Sequence, residues 1–197
     1  MKYTKIPAST FQNIQLNAGV LLSSFTPSTA TVTDSAILGA TSGGVNFTAT
    51  PAFLDFGEDI DNCPKNMLEL KKLDNWDIQM SGTFITVSAE TAARLIGAGD
   101  VDGTDTSKVV PRNDITASDF KDLWWVGDYS DKNGDTNGGF VAIHMMNTLS
   151  TGGFQIQSGD KSKGMISFTF TAHYSNAAQD TVPFEVYVKA GTAEPTG

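Results

Sequence analysis

Met165–Tyr174 reads MISFTFTAHY, and its alternation decides the fold class. Ile166, Phe168, Phe170 and Ala172 fall on one face, and Ser167, Thr169, Thr171 and His173 on the other. An apolar/polar period of two over this length is a strand buried on one side. Downstream, Phe184–Lys189 forms a closing strand, and residues 190–197, AGTAEPTG, read as a frayed tail. Upstream, Phe154–Ser158 follows a Thr-Gly-Gly corner. Before it, Leu123–Tyr129 and Phe140–Asn147 flank Asn133-Gly134 and Asn137-Gly138, and Asn-Gly is a strong hairpin signal. This half of the chain is an antiparallel meander.

The first half is less regular. Val45–Thr50 alternates as a short strand, and so does Trp76–Met80. After Gly82 the apolar residues become Phe84, Ile85 and Val87, a phase change that suggests a bulge or bend. One helix stands out. Ser88 is its N-cap, Glu90 lies in its first turn, Ala92, Ala93, Leu95 and Ile96 supply its apolar face, and Gly97 or Gly99 ends it. Residues 100–122 read as an acidic loop with a helical turn capped by Ser118. The Thr/Ser-rich run from Phe25 to Ser42 reads as a strand with loose flanks. Residues 1–27 fit an extended arm or a plain first strand equally well.

Gly43–Asn66, GGVNFTATPAFLDFGEDIDNCPKN, fits no simple element. Phe47, Phe53 and Phe56 stand among Asp55, Glu58, Asp59 and Asp61, with Pro51 and Pro64 stiffening the path. A long irregular segment is functional or disordered, and three phenylalanines argue against disorder. The rings need a surface to bury against, and another subunit can provide it.

At 197 residues the chain is expected to be one domain, 1–197, with a substantial core. Only 18% of residues are charged, and the net charge is −9, which disfavours a surface that grips phosphates. The one cysteine, Cys63, precludes an intrachain disulfide. The N-terminus has no apolar core of a signal peptide, and no run approaches a membrane span, so a soluble intracellular protein is expected.

Catalytic and metal signatures are missing: no GxSxG elbow, no phosphate loop, no HExxH. His144 and His173 sit in strand patterns, where a hydrogen-bonded histidine is the expectation and a base or ligand the alternative. Asp100-Val-Asp102-Gly-Thr-Asp105 and Asp131-Lys-Asn133-Gly-Asp135 alternate oxygens as calcium loops do, but they lack the EF-hand glycine and glutamate, and turns favour the same residues. Asn46-Phe47-Thr48 matches the glycosylation sequon. Trp124 and Trp125 face opposite sides of their strand, one into the core and the other to a partner or the surface. No cofactor or metal is expected.

Taken together, the arm running into FQNIQLNAGVLLSSF, the run TSGGVNFTATPAFLDFGEDIDNCPKN, the helix ETAARLIGAGDVDG and the ending KGMISFTFTAHYS…VPFEVYV resemble the major tail tube protein of long-tailed, siphovirus-type bacteriophages. Order and combination carry the likeness, which covers nearly the whole chain.

The resemblance implies a mainly β fold: an antiparallel β-sandwich or barrel with one flanking helix, an N-terminal arm (1–27) and a long assembly loop (39–66). It implies hexameric rings stacked into a DNA-ejection conduit, each subunit lending strands to an inner barrel. It implies assembly contacts by Phe47, Phe53, Phe56, Glu58, Asp59 and Asp61 in the loop, and by Phe11, Ile14 and Leu16 in the arm. Asp77, Gln79, Ser81, Ser167, Thr169 and Thr171 become lumen-facing candidates, since an inner barrel needs strands with a polar face. Implied partners are further copies and the tape measure, tail terminator and distal tail proteins. DNA passes without specific binding, and no membrane is involved. The implied location is the virion tail, after synthesis in the host bacterial cytoplasm.

Two other readings come from the residues. A phage or bacterial surface β-sandwich module for carbohydrate or receptor recognition would use Trp124 or Trp125 as a stacking platform. A hydrolase would use His144 or His173 with a nearby carboxylate.

Overall fold

The computed structural model describes residues 7, 10, 14–129 and 139–191. Its elements, in chain order, are β1 (Gln15–Leu22), β2 (Thr41–Asp55), β3 (Lys71–Phe84), α1 (Ala89–Ile96), β4 (Gly99–Val101), β5 (Val109–Pro111), β6 (Lys121–Tyr129), β7 (Gly139–Ser150), β8 (Gln155–Gln157), β9 (Met165–Ala172) and β10 (Phe184–Lys189). The fold is mainly β and antiparallel with a single α-helix, as expected.

β9 joins the two layers. Along one edge it pairs with β3, from Phe84↔Ile166 to Gln79↔Thr171. Along the other it pairs first with β8 and then with the end of β7, at Thr148↔Ala172. β7 runs on to pair with β10 on that same edge and with β6 on the opposite one, and β1 lies outside β6. One layer is therefore β8-β9-β3-β2 and the other β10-β7-β6-β1.

The apolar faces meet between the layers. Leu21, Ile78, Met80, Phe84, Leu123, Met145, Ile166, Phe168 and Phe170 form this core, and Leu95 of α1 closes it. A second cluster lies on the far side of the β10-β7-β6-β1 layer, where Leu22, Trp124, Val126, Phe140 and Ala142 are covered by Phe25 and Ala36. β6 is thus buried on both faces, which explains its unbroken Leu-Trp-Trp-Val run.

The helix follows its sequence signals: Ser88 Oγ accepts from Thr91 N–H at 3.1 Å, and Gly97 ends it at φ +85°. Phe25–Ser42 does not form the expected strand. Up to Ala40 it carries a short 3₁₀ turn at Asp34–Ala36 and isolated bridges, because its apolar residues do not alternate: Phe25 and Ala36 cover the second cluster while Leu38 packs on the first. The expected loop of 100–122 contains a ribbon of β4 and β5. Its 3₁₀ turn, Ala117–Asp119, is capped by Thr116 rather than Ser118, with the Asp119 carboxylate returning the bond. Both Asn-Gly pairs between β6 and β7 lie outside the described residues, as does most of the expected tail.

The expected phase change at Gly82 does not occur. Ile78, Met80 and Phe84 all face the core in one phase, and β3 pairs with β9 without a shift. Gly82 occupies a core-facing position because a Cβ there would lie 2.7 Å from Cζ of Phe168. The irregularity lies opposite, on β2, where Ser42, Gly43 and Gly44 face Thr83 alone, both glycines having positive φ. Gly82→Ala should therefore overpack the core and lower unfolding free energy by about 1–3 kcal/mol, measured by urea denaturation. An unchanged midpoint would mean that Phe168 yields freely.

Candidate assembly surfaces

The outward face of the β8-β9-β3-β2 layer is polar where the strands are layered, with Met165 an apolar exception at the start of β9. Register aligns Asn46, Thr48 and Thr50 of β2 with Ser81, Gln79 and Asp77 of β3. It also aligns Thr83, Ser81 and Gln79 with Ser167, Thr169 and Thr171 of β9. The six residues expected at a lumen therefore share one surface, joined by the three from β2 and by Thr83. Among these ten side chains is one carboxylate, Asp77, which Gln79 Nε2 contacts at 3.1 Å, and no cation. Gln155 and Gln157 on β8 face the neighbours of this row. Among the described residues, neither β2 nor β8 has a ladder partner on its outer edge.

Where a long loop was expected at 39–66, most of the segment is strand. β2 pairs with β3 for nearly its whole length, from Thr41↔Phe84 to Asp55↔Lys71. Pro51 is accommodated because β2 is an edge strand, where a missing N–H breaks no second ladder. Since β9 reaches only to Gln79, the outer half of this hairpin projects as a two-stranded arm. Trp76 anchors its base: the indole packs on Phe184, and the backbone N–H of Trp76 donates to Tyr174 Oη at 3.2 Å.

The arm ends in an organised cap. Asp55 Oδ1 accepts from Gly57 N–H at 3.0 Å and Oδ2 from Asn66 N–H at 2.8 Å, while Lys71 Nζ donates to Asn66. These backbone donors hold the Asp55 carboxyl below its usual pKa. Glu58, Asp59 and Asp61 are exposed on the cap, and Phe53 and Phe56 are more than half exposed. The sequence reading missed Leu54, Ile60, Leu68 and Leu73, which are also exposed there, Leu68 at 85%. The residues between Asn66 and Trp76 showed no alternation that would have marked them. Phe47, expected at an interface, instead packs inward, its ring 5.8 Å from that of Phe184. In the arm, Ile14 is exposed, the backbone of Leu16 lies in β1, and Phe11 lies outside the described residues.

Other candidates are committed to local structure. Trp124 is 7% exposed and stacks on His144, and Trp125 Nε1 donates to Ala18 O at 2.9 Å, so neither ring forms an open platform. His144 Nε2 meets Asp122 at 3.0 Å and Nδ1 faces Glu185 at 3.6 Å; among the described residues no hydroxyl or thiol is hydrogen-bonded to it. His173 Nδ1 lies 3.2 Å from Asn147 O, hydrogen-bonded as expected although the residue sits just past the end of β9 rather than in it. In the first Asp-rich loop, Asp100 pairs with Arg112 at 2.7 Å, Asp102 accepts from Thr104 N–H, and Asp105 from Ser107. Asp131–Asp135 lies outside the described residues. Arg94 is largely buried beneath a cleft of about 430 Å³ beside α1, and desolvation pushes its pKa down to about 10. Its guanidinium donates to Asp122 O and lies over the Phe170 ring.

Among the described residues no helix is long and apolar enough to cross a membrane. Compared with known proteins, the chain matches no protein-family model and no curated protein.

The cap should respond to acid through Asp55. Its folded pKa lies below the ordinary 3.8, so its bonds hold at neutral pH and are lost as pH falls through that lowered value. Asp55→Ala should strip hydrogen-exchange protection from Gly57 and Asn66 at pH 7 while leaving β9 amides protected. Retained protection at both amides would show that the cap is held elsewhere.

Proposed function

We propose that this chain is the structural subunit of a bacteriophage tail tube, non-catalytic, assembling into stacked hexameric rings that conduct DNA. The observation that carries this reading is the polar face of the β8-β9-β3-β2 layer, bounded by two open edges. β2 of one copy pairing with β8 of the next would continue both the ladder and the face, a heterologous contact that closes into a ring. A barrel of six such four-stranded sheets would leave an aqueous channel. Closure would also remove the edges that otherwise invite uncontrolled pairing.

The chemistry of the face suits passage of DNA. A strand of phosphates is held by fixed cations, and each contact adds about −0.9 to the salt dependence of binding. Ten aligned side chains with one carboxylate and no cation offer hydration without grip. The projecting hairpin supplies the second requirement, a surface that is apolar, acidic and uncovered within one copy. Contact with tape measure, terminator and distal tail proteins, synthesis in a bacterial cytoplasm and residence in the virion tail belong to the same proposal.

Electron microscopy of the purified protein at rising concentration, with and without a tail-tip initiator, should show rings and tubes. Monomers alone under both conditions would overturn the reading. The paired substitution Gln79→Lys and Thr171→Lys should leave tubes intact but make them retain DNA at low salt, released as salt rises. Equal retention by both proteins would remove this face from the channel.

A further inference from the structure

The two ends of the β8-β9-β3-β2 layer differ in chemistry. β3 runs from Lys71, beside the hairpin cap, to Phe84, roughly 45 Å for a strand of this length. β9 is antiparallel to it and begins next to Phe84, so the β8–β9 turn, residues 158–164, lies at the pole opposite the cap. The cap segment 56–70 carries Glu58, Asp59, Asp61 and Glu69 against the single cation Lys65, and among the described residues none of the four acids is in an ion pair. The opposite turn carries Lys161 and Lys163 against Asp160, and neither lysine is in an ion pair with a described residue. Both poles are also apolar and uncovered: Phe53, Phe56 and Ile60 at the cap, Phe154, Ile156 and Met165 beside the turn, with Ile156 60% exposed.

Lys161 adds an independent sign. Its φ is +55°, in the left-handed region that glycine and asparagine occupy with less strain. Among the described residues its side chain makes no hydrogen bond or ion pair. A lysine held in a strained backbone, with no partner among the described residues, fits a partner in another copy.

We propose that the acidic, aromatic hairpin cap of one copy docks on the β8–β9 pole of a second copy, with Glu58, Asp59 and Asp61 facing Lys161 and Lys163 and the exposed rings covering Ile156 and Met165. The contact is head-to-tail, so it leaves a free cap and a free pole at the two ends and propagates. It rests on the tube reading above and supplies the axial joint between rings, separate from the lateral β2–β8 edge.

The test is assembly measured by light scattering and electron microscopy over a concentration series. Lys161→Glu with Lys163→Glu should raise the concentration needed for tubes about ten-fold or more, since like charges then face each other. Adding Glu58→Lys, Asp59→Lys and Asp61→Lys should restore it. Lys161→Asn separates folding from docking: it should match or exceed the parent's melting temperature while weakening assembly and its salt dependence. If the parent forms tubes and the reversed-charge variant forms them equally well, the docking proposal fails and the tube reading stands. If the parent forms none, the reading beneath it fails as well.

Discussion

The structure depends on the sidedness of β9. Ile166, Phe168, Phe170 and Ala172 can leave water only inward, so β3 and β7, which pair with β9 on either edge, must present their apolar faces to the same space. Burial at about 25 cal/mol per Å² makes this the dominant favourable term. Because the pleat has a period of two, the opposite face is fixed at the same stroke: every residue between the buried ones points outward in register. The ten-residue polar surface is the reverse side of the core. Gly82 shows how tight the coupling is, since the Phe168 ring fills the place a side chain would take.

Legibility in the sequence follows from which interactions are local. The start of α1 and its place in the chain were legible because Ser88 and Gly97 act within a turn of themselves, but not its buried face, where Thr91 joins Leu95. β9 was legible because it alternates without interruption over its buried length, and β10 because its apolar run, Phe184 to Val188, is a plain strand sequence although Val186 and Val188 stay exposed. β2 was hidden for a non-local reason. Pro51 and the double glycine look like breaks until β3 is present along one edge with, among the described residues, no ladder partner along the other. The apparent phase change at Gly82 misled because a glycine in a core position carries no hydropathy signal; the missing volume belongs to a residue 86 positions away. Phe25–Ser42 misled differently, since Phe25 and Ala36 cover a second cluster on the far face of the sheet while Leu38 packs on the first.

The surfaces divide in the same way. The six residues first picked out on β3 and β9 come together on one surface because alternation alone places them, and register then adds Asn46, Thr48 and Thr50. The hairpin cap was legible only as an anomaly. Three phenylalanines among acids announced an unsatisfied surface, but could not say that Phe47 turns inward while Phe53 and Phe56 stay out. That division is set by where β9 stops pairing: Phe47 lies over the layered part of the hairpin, the other two beyond it.

An exposed two-stranded arm is marginal by itself, since a lone hairpin in water has little stability. Here three features support it locally: Trp76 on Phe184 at the base, Asp55 bridging Gly57 and Asn66 at the tip, and Lys71 and Lys72 over the Phe53 and Phe56 rings. None of these covers Leu54, Ile60, Leu68 or Leu73. In the assembly proposed above, burial of these side chains in another copy is the term that compensates for holding them in water. The proposed tube asks the converse of the polar face, continued exposure to water with no cation to hold a phosphate. One sheet meets both demands by extending past its own layer at one end and leaving both long edges open. A single copy therefore carries an incomplete surface, and the fold accounts for where the incompleteness lies.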